Sequence, residues 1–205
     1  MVSPLPVYVC PKCGRRVELP EGNYYCKVCG PSYLLKPLHS DPQAGRLDVM
    51  PLIERAQRKA SRVIYAKARE LGVSVPPIIP VREIKVDRKY PLAMYNMPTK
   101  TIQISTSRLR GVLTEYMPKY GIAIYPLMEE VLIYTILHEF YHHVQYETGR
   151  YKVVEELARA GRREEAVAER FGLEEEAHRF ARDTIETLGI EWDEIKYIVE
   201  KISEA

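Results

Sequence analysis

The sequence predicts an α+β fold, mainly helical with a small β-sheet, behind a small N-terminal module built on cysteine. Three observations predict it. All four cysteines fall within the first 29 residues. From Pro51 onward, apolar residues recur at helical spacing over most of the chain. Two short stretches, Val81–Val86 and Thr101–Ser105, look like strands; in the second, Ile102 and Ile104 alternate with polar residues.

The length of 205 residues suits one domain with a small appendage. A composition of 46% hydrophobic and 28% charged residues excludes a disordered chain. The net charge of +2 and pI of 8.3 are too mild to argue for a nucleic-acid or membrane partner. The longest apolar stretch, Ile122–Leu137, is too short to span a bilayer and is broken by Glu129 and Glu130. Met1–Cys10 lacks the basic flank and apolar run of a signal peptide. A cytoplasmic protein without membrane partners is expected.

The cysteines form two C-x-x-C pairs, Cys10/Cys13 and Cys26/Cys29, with twelve residues between them. A two-residue gap lets both thiolates of a pair face one ion, and Gly14 and Gly30 let the backbone double back after each pair. Four thiolates match the closed tetrahedral shell of structural Zn²⁺. Disulfides lack a secretory signal, and a redox C-x-x-C lacks a surrounding βαβ pattern. Arg15–Tyr25 reads as a hairpin turning at Pro20–Asn23. The module resembles compact zinc ribbons. Its mild basic excess (Lys12, Arg15, Arg16, Lys27, Lys36 and Arg46 against Glu18, Glu21 and Asp41) allows nucleic-acid contact and suits a solvated face equally well.

Pro31, Pro37, Pro42 and Gly45 mark a linker without periodicity. The expected limits are 1–35 for the cysteine module, 36–50 for the linker and 51–205 for the main domain. A helix is expected over Pro51–Leu71, with Asp48 as a candidate cap and a basic, solvated outer face (Arg55, Arg58, Lys59, Arg62). Gly72–Pro80 reads as turns. The strand-like pieces follow, with Leu92–Met97 a further extended segment between them and Ser107–Tyr116 a short helix. Pro126–Glu147 is the most apolar helix and is expected to be buried on most sides, with Glu129 and Glu130 near its start and Gly149 ending it. Helices over Lys152–Arg159, Arg163–Glu169, Leu173–Leu188 and Trp192–Ile202 complete the pattern.

On the buried helix sits His138-Glu139-Phe140-Tyr141-His142. His138 and His142 are i and i+4, so both rings leave one face and can grip one ion. Glu139 lies about 100° round the helix and can reach a water on that ion without being a ligand. Buried and unpaired, such groups would each cost kilocalories, which metal ligation offsets. Catalytic zinc takes three protein ligands and leaves a fourth position open. The remaining histidines are His39, His143 and His178, and His143 points away from His142. Glu174 and His178 share one face of a later helix with the small Ala177 and Ala181, so either can supply the third ligand.

These residues resemble the gluzincin metallopeptidases, a zincin-like family that pairs H-E-x-x-H with E-x-x-A-[D/N]-x-F-A on a second helix. The resemblance implies His138, His142 and Glu174 as zinc ligands and Glu139 as general base. His178 stands where the family has Asp or Asn, a departure that leaves it an orienting, catalytic or ligating role. Ala93-Met94-Tyr95-Asn96 resembles the family's edge strand, which implies substrate binding at Ala93 and Tyr95 by strand addition. The resemblance spans about residues 51–190 and is closest to soluble minimal gluzincins and small repressor-cleaving peptidases; the ribbon is not a usual part. It implies a zinc metalloendopeptidase acting on protein or peptide, with one catalytic and one structural Zn²⁺. The competing expectation is an inactive zincin-fold regulatory or nucleic-acid-binding protein working through its ribbon.

Overall fold

The computed structural model describes residues 7–10, 12–13, 15–19, 24–38, 47–86 and 89–204. The chain divides into two compact units, Met1–Asp48 and Val49–Ala205.

The first unit carries β1 (Val7–Val9), β2 (Arg16–Glu18), β3 (Tyr25–Cys26), β4 (Gly30–Leu34) and β5 (Lys36–Leu38). An antiparallel sheet runs β2-β1-β5, and β3 pairs separately with β4. Each C-x-x-C is itself the reversal. The first turns β1 into β2, closed by the Cys10 N–H donating to Arg15 O at 3.0 Å. The second turns β3 into β4, where Gly30 takes φ +90°, a conformation side chains oppose. Among the described residues, the hairpin expected over Arg15–Tyr25 is not seen: β2 pairs with β1 and β3 with β4. Its expected turn at 20–23, and Gly14, lie outside the described residues. Lys36–Leu38, expected in the linker, form an edge strand, where Pro37 is tolerated. The buried core of the unit is Tyr8, Cys10, Cys26 and Leu35, with Tyr24 edge-on to Tyr8 at 5.3 Å.

The second unit runs α1 (Met50–Leu71), β6 (Ile78–Val81), β7 (Ala93–Asn96), β8 (Thr101–Ser105), α2 (Thr106–Tyr120), α3 (Ile124–Glu147), α4 (Arg150–Arg159), α5 (Arg163–Thr187) and α6 (Trp192–Glu204). Its sheet is β6-β8-β7, with β6 parallel and β7 antiparallel to β8. The central strand buries Ile102 and Ile104 completely. Leu132, Ile133, Ile136, Leu137 and Phe140 of α3 are likewise inaccessible. A helix apolar all round must be enclosed, and α3 packs against α1, α2, α4, α5, α6 and β7.

Several expectations need correction. The first strand of this sheet is Ile78–Val81, most of it in the segment read as turns; of the expected strand Val81–Val86, Val81 ends β6 and Val86 makes only an isolated bridge with Lys89. An edge strand needs no N–H from Pro80 on its open side. The N-cap of α1 falls on Val49, which makes no side-chain cap bond, and not on Asp48. Arg55 and Lys59 are not simply solvated, since both reach the buried Glu129 of α3 at 2.7 Å. The two helices expected over 163–188 are one: α5 continues through Gly172, whose penalty of about 1 kcal/mol is outweighed by packing on α3 and α4.

Candidate metal centre

Two neighbouring stripes of α3 define the site. His138 and His142 form one, facing α5. Glu139, His143 and Glu147, one position on, form the other and hold the β7–β8 hairpin. Glu139 Oε2 accepts from the Tyr95 N–H at 2.6 Å. His143 donates from Nε2 to Ser74 O at 2.8 Å, so its Nδ1 accepts the Tyr95 hydroxyl at 3.0 Å. Glu147 accepts from Lys100 Nζ at 2.7 Å. As expected of it, His143 faces away from His142.

On the first stripe the Nε2 atoms of His138 and His142 stand 3.0 Å apart. Glu174 Oε2, from α5, lies 3.5 Å from the first and 3.4 Å from the second. Three donors bound to one tetrahedral ion at 2.0–2.1 Å would be separated by about 3.3 Å. The three therefore could hold a metal ion. Ala177 and Ala181 are fully buried between α5 and α3, and their small side chains permit the close approach.

Two facing imidazole nitrogens and a carboxylate can be satisfied by a shared proton or by a cation. Burial pulls His138 down to about 4, which leaves it neutral at pH 7 with a lone pair on Nε2 or Nδ1. Its Nδ1 is buried without a hydrogen-bond partner among the described residues, so no protein group there dictates which nitrogen carries the proton. The His138 and His142 rings beside it hold the Glu174 carboxyl well below the usual carboxylate range. For His142, burial opposes the charged form, but Glu174 and Glu139 outweigh it and the shift is upward. Burial pushes the Glu139 carboxyl up to about 7.

His142 is further held from behind. Gln145 Oε1 lies 2.9 Å and the Tyr151 hydroxyl 3.0 Å from its Nδ1. Neither residue is recognisable in the sequence as part of a site. Gln145 follows His142 by three positions on α3, a spacing that could have drawn attention to it; Tyr151 comes from the next helix and carries no such signal.

His178 is not among the converging donors. Its ring lies 4.4 Å from that of His138, and its Nδ1 is 2.5 Å from the hydroxyl of the buried Tyr134. It lines a cleft of ≈ 220 Å³ together with His138, Glu139 and Glu174, walled by Ala93 on the strand side and by Val199 and Ile202 of α6 opposite. Of the two expected strand contacts, Ala93 borders this cleft. Tyr95 is an anchor instead, its N–H and hydroxyl already engaged by Glu139 and His143.

In the first unit Cys10, Cys13, Cys26 and Cys29 also converge, with one sulfur from each lying within 4.8 Å of the others. Backbone N–H groups of Cys29 and Val28 help pull the Cys26 thiol down to about 6, while hydrogen bonding with Cys13 pushes Cys29 up to about 12. Four thiolates cannot coexist at this spacing without a cation, and the group could hold one.

Comparison with protein-family models, with curated proteins and with solved structures finds no match.

Proposed function

We propose that the chain is a zinc-dependent metallopeptidase of the gluzincin type with a zinc ribbon as docking module. The observation that carries this reading is the meeting of His138, His142 and Glu174 beside the carboxylate of Glu139, at the edge of β7. The donor set suits the ion, since two imidazoles and one carboxylate are a common catalytic zinc shell. A zinc ion held there supplies Lewis acidity toward a peptide carbonyl and acidifies a water.

The chain's own residues do the rest. The outer edge of β7 at Ala93 takes the peptide as an added strand. Glu139, steadied by the Tyr95 N–H, accepts a proton from the attacking water and returns it to the leaving amine. His178, with Nδ1 engaged by Tyr134, offers its other nitrogen to the developing oxyanion. Val199 and Ile202 keep one side of the cleft dry.

The test is Glu139→Gln in the metal-loaded protein, assayed against unfolded proteins. Metal content stays at the wild-type value, and cleavage falls by about 10²–10⁴-fold. Cleavage at the wild-type rate removes Glu139 from the mechanism. A second reading, ribbon-mediated nucleic-acid binding by an inactive enzyme, is favoured by the exposed Lys12, Arg15, Tyr25, Lys27 and Val28 of the cysteine module. Salt-dependent nucleic-acid binding with no cleavage in the metal-loaded wild type decides for it.

A further inference from the structure

Gln145 is 2% exposed, and both ends of its amide are committed. Its Oε1 lies 2.9 Å from His142 Nδ1. Its Nε2 donates to Leu173 O at 2.8 Å and to Glu176 Oε2 at 3.3 Å. The amide orientation follows from this, because Leu173 O can only accept and must face the NH₂ end. The carbonyl end then faces His142 and must receive a proton from it. That places the His142 proton on Nδ1 and the lone pair on Nε2, toward His138 and Glu174. The other end of the same amide grips the residue immediately before Glu174. One side chain thus sets the tautomer of one candidate ligand and bonds the backbone of the helix that carries another.

We propose that Gln145 is the positioning residue of the histidine-site metal, holding His142 with its Nε2 toward the ion, while the other end of the amide ties α3 to α5. The proposal rests on the metal-centre reading above. Tyr151 is the auxiliary partner: its hydroxyl, 3.0 Å from His142 Nδ1, can donate or accept and so does not fix the tautomer.

Two substitutions separate positioning from simple packing. Gln145→Leu removes both ends of the bridge. Gln145→Glu keeps the acceptor for His142 and loses the donor to Leu173 O. Both variants forfeit the α3–α5 hydrogen bond, so both metal-free proteins melt below wild type. Their zinc affinities differ, measured by chelator competition on the full chain, with the cysteine-site contribution read from His142→Ala. Gln145→Leu binds the histidine-site zinc about 10–100-fold more weakly, the range for loss of such an outer partner. Gln145→Glu binds within about threefold of wild type. Equal affinities for wild type and Gln145→Leu overturn the proposal, as does an equal loss in both variants, which marks a structural role. If Gln145→Leu does not fold, Gln145→Ala replaces it in the comparison, with the same loss of about 10–100-fold expected and wild-type affinity overturning the proposal. Failure of the metal-centre reading looks different, because the wild type then binds no more zinc than His142→Ala.

Discussion

His138 and Glu139 are adjacent, yet they face α5 and β7 respectively, and their i+4 successors His142 and His143 repeat the division. A helix turns about 100° per residue, so neighbouring positions present different chemistry to different elements. The ligand stripe and the strand-holding stripe can therefore be separated experimentally. Tyr95→Phe leaves the buried His143 Nδ1 without its donor. It should cost about 1–3 kcal/mol in urea denaturation while zinc content is unchanged; loss of zinc would show that the two stripes are not separable. The converging residues were legible because H-E-x-x-H encodes its own geometry on any helix, and the small Ala177 and Ala181 mark the approach of a second one. Gln145 and Tyr151 were not, since a glutamine or a tyrosine acquires its role only from what tertiary packing places opposite it. For the same reason Tyr95 reads as a substrate contact in sequence and as an anchor in three dimensions.

At the scale of elements, α1 and α3 are joined by Glu129, which receives Arg55 and Lys59. Burial alone would raise its pKa, but the two cations outweigh burial and lower it. A lowered folded-state pKa means stability present above the ordinary value of 4.5 and lost as pH falls through the folded one. The cations are partly solvated, so the pair contributes about 1 kcal/mol. Glu129→Gln should be less stable than wild type at pH 7, and the difference should shrink below pH ~4 in a urea series. An undiminished difference at pH 3 contradicts the ion pairing. In α5, Gly172 is helical, and a methyl group there meets nothing within 4 Å. Gly172→Ala should raise stability by about 0.5–1 kcal/mol by thermal or urea melting. Helix periodicity located α1, α3 and α6 closely, because an amphipathic or enclosed helix repeats its signal over many residues. The strand β6 was missed because four residues containing a proline carry almost none, and its pairing with β8 is set by contacts far apart in sequence. The break expected between Glu169 and Leu173 failed for the converse reason: the local penalty of Gly172 is overridden by packing along the whole helix.

For the molecule as a whole, two units each carry a group that could hold a metal, and the two groups share no residue. Cys26→Ser should remove one metal per chain and leave the histidine-site metal in place, while His142→Ala does the reverse; loss of both from either variant contradicts two independent sites. The position of the cysteine module was plain from its paired spacing. Its internal strand pairing was not, because each C-x-x-C is itself a turn, which pairs β1 with β2 and β3 with β4. The separation of the sites also gives the most direct measurement of the central claim: X-ray absorption on zinc-loaded Cys26→Ser, where the remaining ion reports the second unit alone. A shell of two imidazole nitrogens and carboxylate or water oxygens at about 2.0–2.2 Å, with no sulfur, is the predicted result. A protein that retains no zinc, or a zinc shell without imidazole, contradicts it.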